Sequence, residues 1–256
     1  MLIAVDIGNT HTVLALFAGE ELRAHWRTAT AADVTGDELW MVFRPFLEDA
    51  GITIDEIDAM VVASVVPSLT EVAHEVCMRR FGFEPLIVTC DLDLGISIAV
   101  EPPEAAGADR LANAVAACHR YTLPAIVVDM GTATTFDVID GEGTYLGGVI
   151  APGVLTGSEE LFKRAARLAK VDIRPPERVV GSTTQSSLRS GIYLGTLAMI
   201  DGMIASIAAE LETGPAIIFT GGLASLFETD FPERGTLDPL LTLEGLRLIH
   251  ERVESA

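Results

Sequence analysis

The sequence has little positive charge for its length. Its 256 residues include 37 acidic but only 17 basic side chains, which gives a formal net charge of −20. Nucleic acids and anionic membrane surfaces are bound through basic patches, so this balance argues against both as partners. Only two of the basic residues are lysines, Lys163 and Lys170, and both fall on one predicted helix. Any phosphate chemistry must therefore find its positive charge elsewhere.

Cysteine is equally scarce. Cys77, Cys90 and Cys118 are an odd number and widely spaced, with no C-x-x-C pair, which favours a cytoplasmic protein over a disulfide framework. The five histidines show no metal-ligand spacing. No basic segment precedes the first apolar run, and the longest apolar stretches are strand- or helix-sized and carry charges. We therefore expect neither a signal peptide nor a membrane span.

The two common glycine-rich phosphate motifs are also absent. The chain contains no G-x-x-x-x-G-K-[ST] and no G-x-G-x-x-G, which excludes a P-loop and weighs against a Rossmann dinucleotide site. Apolar residues make up 49% of the chain, enough for a substantial core. The length suits one large domain or two closely packed ones.

A short phrase occurs twice, at the end of an apolar strand each time. "DIGNT" begins at Asp6 and "DMGTATT" begins at Asp129, 123 positions later. Each is part of a predicted run of three strands, which cover 2–7, 11–18 and 21–28 in the first half and 125–131, 132–140 and 143–153 in the second. Helices and strands then alternate in both halves, which predicts parallel pairing there. The simplest explanation is a duplicated α/β domain, 1–115 and 116–256, with a ligand cleft between the copies.

The remaining elements follow from hydrophobic periodicity. Helices are predicted over 36–51, 68–82, 107–121, 155–170, 184–211 and 241–255, and strands over 57–65, 84–90 and 216–222. Ser68 is a plausible N-cap for the second helix. The long helix from 184 contains glycines, and an exposed face of Ile192, Leu194 and Leu197 would be costly. That helix therefore predicts a homodimer interface.

The two aspartate–glycine phrases suit a polyphosphate. A glycine at such a turn lets backbone N–H groups approach a ligand, and an aspartate at a strand end can hold a hydrated Mg²⁺. Nearby hydroxyls would add donors; they belong to Thr10, Thr12, Thr132, Thr134 and Thr135. The alternative is a pair of ordinary hairpin turns with aspartates that cap backbone amides. The duplication favours the phosphate interpretation.

Two further stretches are ambiguous when each is taken alone. "FTGGLAS" (219–225) has glycines between a strand and a predicted helix, and the simplest interpretation is a strand-to-helix turn. "GADR" (107–110) places Asp109 in the first turn of a helix, where the helix dipole favours a carboxylate. The functional alternative makes Asp109 a general base for an attacking hydroxyl and Arg110 a partner for a substrate carboxylate.

Taken in order, these motifs resemble type III pantothenate kinase over nearly the whole chain. The matching stretches are "DIGNTHT", "GADRLANAVAA", "VVDMGTATTFDVI", "LGGVIAPG", "TQSSLRSGIYLG" and "FTGGLA". The resemblance implies two duplicated ribonuclease-H-like domains of the actin/Hsp70-like ATPase fold, with ATP in the interdomain cleft. It also implies a homodimer, Mg²⁺ with ATP, a monovalent cation (K⁺ or NH₄⁺), and phosphorylation of pantothenate, the first step of coenzyme A biosynthesis.

The resemblance also implies roles for individual residues. The ATP-binding residues would be Asp6, Ile7, Gly8, Asn9, Thr10, His11, Thr12, Val13 and Thr132, with Asp6 also at Mg²⁺. The pantothenate-binding residues would be Val100, Gly107, Ala108, Asp109, Arg110 and Thr184, the last of these reaching across the dimer. Asp109 would be the catalytic proton acceptor, and Asp129 would coordinate the monovalent cation.

The chain departs from the family pattern at one of these positions. Family members often carry a tyrosine seven residues before the "GADR" glycine, and Val100 stands there in this chain. Two rivals therefore remain open. One is a kinase of the same fold that acts on another small hydroxyl substrate. The other is a non-catalytic nucleotide-binding regulatory protein, against which the intact set of Asp6, Asp109 and Asp129 argues.

Overall fold

The computed structural model describes residues 1–165 and 170–255, which form two compact units. The first unit contains Met1–Arg120 and Leu240–Ala256, and the second contains Tyr121–Pro239. This division differs from the predicted boundary at 115/116, because one helix runs on to Arg120 and the last helix belongs to the first unit. Residues 166–169 of the predicted helix 155–170 lie outside the described residues.

The first unit is built on one mixed sheet. Its strands are β1 (Leu2–Ile7), β2 (His11–Ala18), β3 (Glu21–Ala29), β4 (Ala59–Ser64) and β5 (Leu86–Ile87). They lie in the order β3-β2-β1-β4-β5. The first three are antiparallel neighbours, whereas β4 is parallel to β1 and β5 is parallel to β4. The predicted strand 84–90 is reduced to the two residues of β5.

Helices cover both faces of this sheet. They are α1 (Gly36–Asp49), α2 (Pro67–Arg80), α3 (Ala108–Arg120) and α6 (Leu241–Glu254), and the short elements are η1 (Ile54–Glu56), β6 (Ser97–Ile98) and η2 (Pro103–Ala105). Helices α1 and α2 bury one face of the sheet, and α3 and α6 contact β4 from the other. A Cβ on Gly245 would collide with the carbonyl oxygen of Ala112. This close crossing of α3 and α6 explains why the C-terminal helix joins the first unit.

The predicted Ser68 N-cap is wrong. Helix α2 begins at Pro67, its N-cap residue is Val66, and no side chain caps it. Proline is favoured at the first helical position because its missing N–H would have no intrahelical partner there. Ser68 instead donates its hydroxyl to the carbonyl of Ala32 at 3.2 Å.

The second unit repeats the topology of the first. Its strands are β7 (Ala125–Met130), β8 (Ala133–Ile139), β9 (Thr144–Pro152), β10 (Ala216–Thr220) and β11 (Thr236–Leu237). Within the unit they lie in the order β9-β8-β7-β10-β11, with the same strand directions. Asp6 and Asp129 each occupy the fifth position of the first strand. The predicted duplication and fold class are confirmed.

Helices α4 (Val154–Arg164) and α5 (Thr184–Glu210) follow, with a 3₁₀ segment η3 (Ala224–Asp230) after β10. The predicted exposed apolar face of α5 is wrong. Leu197 is only 5% exposed, and Ile192 and Leu194 pack against the same core of the second unit. These side chains serve the fold of their own unit.

The exposed face of α5 carries small residues instead. They recur at alternating spacings of four and three and are Gly191, Gly195, Ala198, Gly202, Ala205 and Ala209. A Cβ added at any of the three glycines would meet no atom within 4 Å. The backbone of α5 is therefore open to close approach by another helix.

Helix α5 is also long and apolar enough to cross a membrane, by length and composition alone, and 22% of its most apolar stretch is buried. One face of the helix packs into the fold of its own unit. Tyr193 and Ile200 lie in the apolar core of the second unit. On another face Asp201 forms an ion pair with Arg234 at 2.8 Å.

Candidate functional site

The first candidate loop connects β1 to β2 at the carboxyl end of β1. Asp6 is half-buried and lies between Val13 on β2 and Ala63 on β4 in the sheet register. The amide of Gly8 donates to the carbonyl of His11 at 3.0 Å, which closes a four-residue turn. Asn9 and Thr10 at the tip of this turn are exposed. The sequence prediction of a tight turn agrees with this geometry.

A threonine from outside the motif holds this turn. The hydroxyl of Thr30 donates to the carbonyl of Gly8 at 2.8 Å, and its Oγ1 lies 2.9 Å from Oγ1 of Thr12. Thr30 has one hydroxyl proton, which goes to Gly8, so Thr12 donates to Thr30. Thr12 is also only 4% exposed. In this arrangement the hydroxyl of Thr12 is directed to Thr30.

His11 is paired with an arginine on the neighbouring strand. Nη2 of Arg27 lies 2.9 Å from Nδ1 of His11, and because a guanidinium only donates, Nδ1 must accept. Burial, with a smaller contribution from the charge of Arg27, lowers the pKa of His11. The neutral imidazole therefore carries its proton on Nε2.

Asp109 lies in the first turn of α3, as predicted. Its Oδ1 accepts the backbone amide of Arg110 at 2.9 Å, and a Cβ on Gly107 would lie 2.5 Å from that oxygen. Burial raises the pKa of Asp109, against smaller opposing effects of the amide and the charge of Arg110. A carboxyl group destabilised in its charged form is suited to accept a proton.

The first unit brings the Asp6 turn and the "GADR" segment together around Val65. The amide of Val65 donates to the carbonyl of Ile7 at 3.1 Å. Cγ1 of the same residue lies 3.6 Å from the position of a Cβ on Gly107. Two motifs that are about a hundred residues apart are thus separated by one side chain. Of the other predicted pantothenate residues in this unit, Ala108 is buried, and Val100 and Arg110 are half-buried.

The second candidate loop is the counterpart of the first and one residue shorter. Asp129 pairs with Thr135 on β8 and with Thr220 on β10. The amide of Gly131 donates to the carbonyl of Ala133 at 2.9 Å. Three residues separate Met130 from its strand partner Thr134, whereas four separate the corresponding pair in the first unit. Thr132 is exposed at this turn.

The role of the "FTGG" glycine is explained by its contact with Asp129. Gly221 has a φ of +90°, and a Cβ there would collide with Oδ1 of Asp129 and with the backbone of Met130. The expected helix after the glycines is only the 3₁₀ segment η3. Gly221 is therefore required by a close approach to the carboxylate and by its left-handed backbone.

Two residues that motif reasoning did not assign hold the second turn. The hydroxyl of Thr156 donates to the carbonyl of Thr132 at 2.7 Å, and the amide of Gly153 donates to the same oxygen at 3.2 Å. A Cβ on Gly153 would collide with the carbonyls of Gly131 and Thr132. Gly153 belongs to the stretch "LGGVIAPG" quoted for the family resemblance, but neither Thr156 nor Thr30 carries a sequence signal.

The remaining predicted site residue, Thr184, is the first residue of α5 and is exposed. Helix α5 begins with a capping box between Thr183 and Ser186, which fixes the position of Thr184.

The two strand-end aspartates, Asp6 and Asp129, are the candidates for binding a metal ion. Within residues 1–165 and 170–255, no group of three or more His, Cys, Asp or Glu side chains could hold a metal. A single carboxylate at Asp6 still suits Mg²⁺, which keeps its waters and takes phosphate oxygens as ligands.

Comparison with known proteins identifies the family. A family model described as type III pantothenate kinase matches residues 2–206. A type III pantothenate kinase from Thermomicrobium roseum is 47% identical over 253 residues, which cover 99% of this chain and 98% of that protein.

Solved structures of more distant proteins share the fold. A Campylobacter jejuni protein described as a Baf family transcriptional activator aligns with a TM-score of 0.62 at 19% identity, covering 99% of this chain and all of that one. The ROK hexokinase of Thermus thermophilus aligns with a TM-score of 0.51 at 14% identity, covering 100% and 99% of the two chains. At these identities the likeness concerns the fold alone. The family match and the near full-length identity together establish that the chain belongs to the type III pantothenate kinase family.

Proposed function

We infer that this chain transfers the γ-phosphoryl group of ATP to the primary hydroxyl of pantothenate, the first step of coenzyme A biosynthesis. The observation that carries this inference is the position of Asp109. A half-buried carboxyl group with a raised pKa lies in the first turn of α3, and Val65 contacts both Ile7 of the first turn and the Gly107 end of this segment. That is the arrangement which a proton acceptor beside a phosphate loop requires.

The two hairpin turns would hold the triphosphate of ATP. In the first unit we assign this role to Asp6–Val13, whose tip is exposed at Asn9 and Thr10, and in the second unit to Thr132. Asp6 would hold the Mg²⁺ of Mg²⁺-ATP, and the bound ion would neutralise part of the phosphate charge. The sequence offers no lysine in either turn, so backbone dipoles and cations must supply the rest.

Asp109 would orient the hydroxyl of pantothenate and take its proton during transfer. Arg110, its neighbour, would pair with the carboxylate of pantothenate, and Gly107, Ala108 and Val100 would line the same pocket. Gly107 has a second function, since any larger residue would displace the carboxylate of Asp109. Catalysis would thus consist mainly of positioning and charge neutralisation.

Asp129 would hold a monovalent cation, K⁺ or NH₄⁺, near the phosphates. A second carboxylate at the end of a strand would repel the triphosphate unless it held a cation of its own. Gly221 lies directly against this carboxylate, because a Cβ at that position would collide with Oδ1 of Asp129. The proposed cofactors are therefore Mg²⁺ with ATP and one small monovalent cation.

The protein would act as a homodimer in the cytoplasm, without a nucleic acid or membrane partner. The small-residue face of α5, from Gly191 to Ala209, suits close packing against α5 of a second copy. Such packing would also cover the exposed small-residue face of this helix. Thr184 begins this helix, which would allow it to reach the pantothenate pocket of the partner.

The test is release of ADP that depends on pantothenate, measured with Mg²⁺-ATP and K⁺ present. We expect turnover with pantothenate and none without it. A screen of other small alcohols tests the alternative of a kinase with another substrate. That alternative holds if one of these alcohols has a higher kcat/KM than pantothenate. ATP binding without turnover on any acceptor would instead favour the regulatory rival.

A further inference from the structure

We propose that Thr30 and Thr156 are positioning residues that orient the two phosphate turns by binding one carbonyl in each. This inference rests on the proposed function, in which the turns bind the phosphates of ATP. Neither threonine belongs to a phrase that suggested phosphate binding. The two side chains lie in different units and perform the same task at equivalent turns.

In the first unit, the contact belongs to a short chain of hydrogen bonds. The hydroxyl of Thr12 donates to Oγ1 of Thr30 over 2.9 Å, and Thr30 donates to the carbonyl of Gly8 over 2.8 Å. The amide of Thr30 also donates to the carbonyl of Thr10 at 2.9 Å. Thr30 follows β3 directly, so a rigid strand end sets its position. Two carbonyls of the turn thus bind one residue outside it.

In the second unit, the same task is performed from a helix. Thr156 lies in the first turn of α4 and donates its hydroxyl to the carbonyl of Thr132 at 2.7 Å. The amide of Gly153, the N-cap residue of α4, donates to the same oxygen at 3.2 Å. The two turns differ in length, and their supports come from different kinds of element. A hydroxyl-to-carbonyl bond is nevertheless present at both.

Because the peptide group is planar, a hydrogen bond to its carbonyl also orients the amide that follows. In a trans peptide the C=O and the following N–H point in opposite directions. When Thr30 holds the carbonyl of Gly8, it therefore points the amide of Asn9 away from itself, and Thr156 does the same to the amide of Ala133. If either peptide rotated, a carbonyl oxygen would face the phosphates and repel them. Orientation of these two amides is what an anion-binding turn needs.

Valine substitutions remove the hydroxyl and keep the shape of the side chain. In Thr30→Val we expect the dissociation constant of a non-hydrolysable Mg²⁺-ATP analogue, measured by calorimetry, to rise about fivefold to tenfold. The KM for ATP should rise by a similar factor, with the KM for pantothenate unchanged. Thr156→Val should behave alike, and the double variant should multiply the two effects, because the turns have separate supports. Thr30→Ser and Thr156→Ser should restore ATP binding.

Thr53→Val is the matched control. The hydroxyl of Thr53 donates to the carboxylate of Glu56 at 2.8 Å. Glu56, in η1, accepts a hydrogen bond from the amino group of Met1, next to the N-terminal end of β1. The Asp6 turn is at the other end of that strand. This variant should lose some thermal stability and keep the wild-type affinity for ATP. Loss of stability without loss of ATP affinity in Thr30→Val and Thr156→Val would overturn the positioning role. So would failure of the serine variants to restore binding. A wild-type protein that binds no ATP would instead overturn the proposed function, and this inference with it.

Discussion

Replacement of Asp109 by asparagine should separate catalysis from stability. Asparagine keeps the size of the side chain and an oxygen that can accept the amide of Arg110, but it cannot take a proton. Loss of a general base typically reduces the rate by about 10²- to 10⁴-fold, which corresponds to about 2.7 to 5.5 kcal/mol in the activation barrier. We expect kcat to fall by this factor, with the affinity for ATP unchanged.

The raised pKa of Asp109 predicts the direction of the stability change. Because burial raises this pKa, folding disfavours the charged form, and the wild type loses stability as the pH rises from the unfolded pKa through the folded one. Asp109→Asn carries no charge and escapes this loss. The difference in unfolding free energy between Asp109→Asn and the wild type should therefore favour the variant most near neutral pH. This advantage should shrink as the pH falls. The variant also loses the favourable interaction of a charged carboxylate with the helix dipole, which is worth about 0.3–1 kcal/mol and opposes this gain in stability.

The assay combines coupled ADP release with urea unfolding at two pH values. Asp37→Asn is the matched control, since Asp37 also lies in the first turn of a helix of the same unit but is exposed and paired with Arg80. That variant should keep full activity and lose a little stability. The wild-type pH profile of kcat should also show an acidic limb above the ordinary pKa of an aspartate. A near-normal kcat in Asp109→Asn would refute the role of Asp109 as the base.

Four other outcomes test the remaining assignments. After dialysis into a bulky organic cation, activity should require added K⁺ or NH₄⁺, and Asp129→Ala should abolish that response; full activity without any small cation contradicts the site. Gly221→Ala should destabilise the protein by about 1 kcal/mol or more, because φ is +90° there, and should weaken the cation response. Gly195→Leu should convert a dimer into a monomer in light scattering at micromolar concentration, and a monomeric wild type would contradict the interface. Val100→Tyr should lower the KM for pantothenate about fivefold, through new contact area and a hydroxyl partner; an unchanged KM argues against a pocket position.

The local sequence pattern predicted the structure well where an element depends mainly on its own residues. The two runs of three strands were predicted from alternation and turn residues, and they agree with the structure within a few residues. Asp6 and Asp129 were recognised as counterparts because each closes a buried strand, and both occupy the same position of equivalent sheets. Asp109 was placed correctly at a helix start. These features depend on residues that are close together in the chain.

The predictions failed where contacts between residues far apart in the chain determine the structure. Ser68 has the residue type of an N-cap, but Pro67 began the helix one position earlier and the serine bonded Ala32 instead. The apolar residues of α5 follow a helical pattern, but periodicity does not say which face meets the core, and Leu197 proved to be inside. The last helix was assigned to the second half by its place in the chain, whereas its glycine at 245 packs it against α3.

The sequence by itself determined the duplicated architecture, the two aspartate–glycine turns and the family, because these are carried by the order and spacing of residues along the chain. Only the tertiary structure decided which residues support those turns. The hydroxyls of Thr30 and Thr156 bind carbonyls that lie more than twenty residues away in the chain, and a threonine hydroxyl has no pattern that marks its partner. The sheet register and the first turn of α4 bring donor and acceptor together, and only the folded chain has this arrangement.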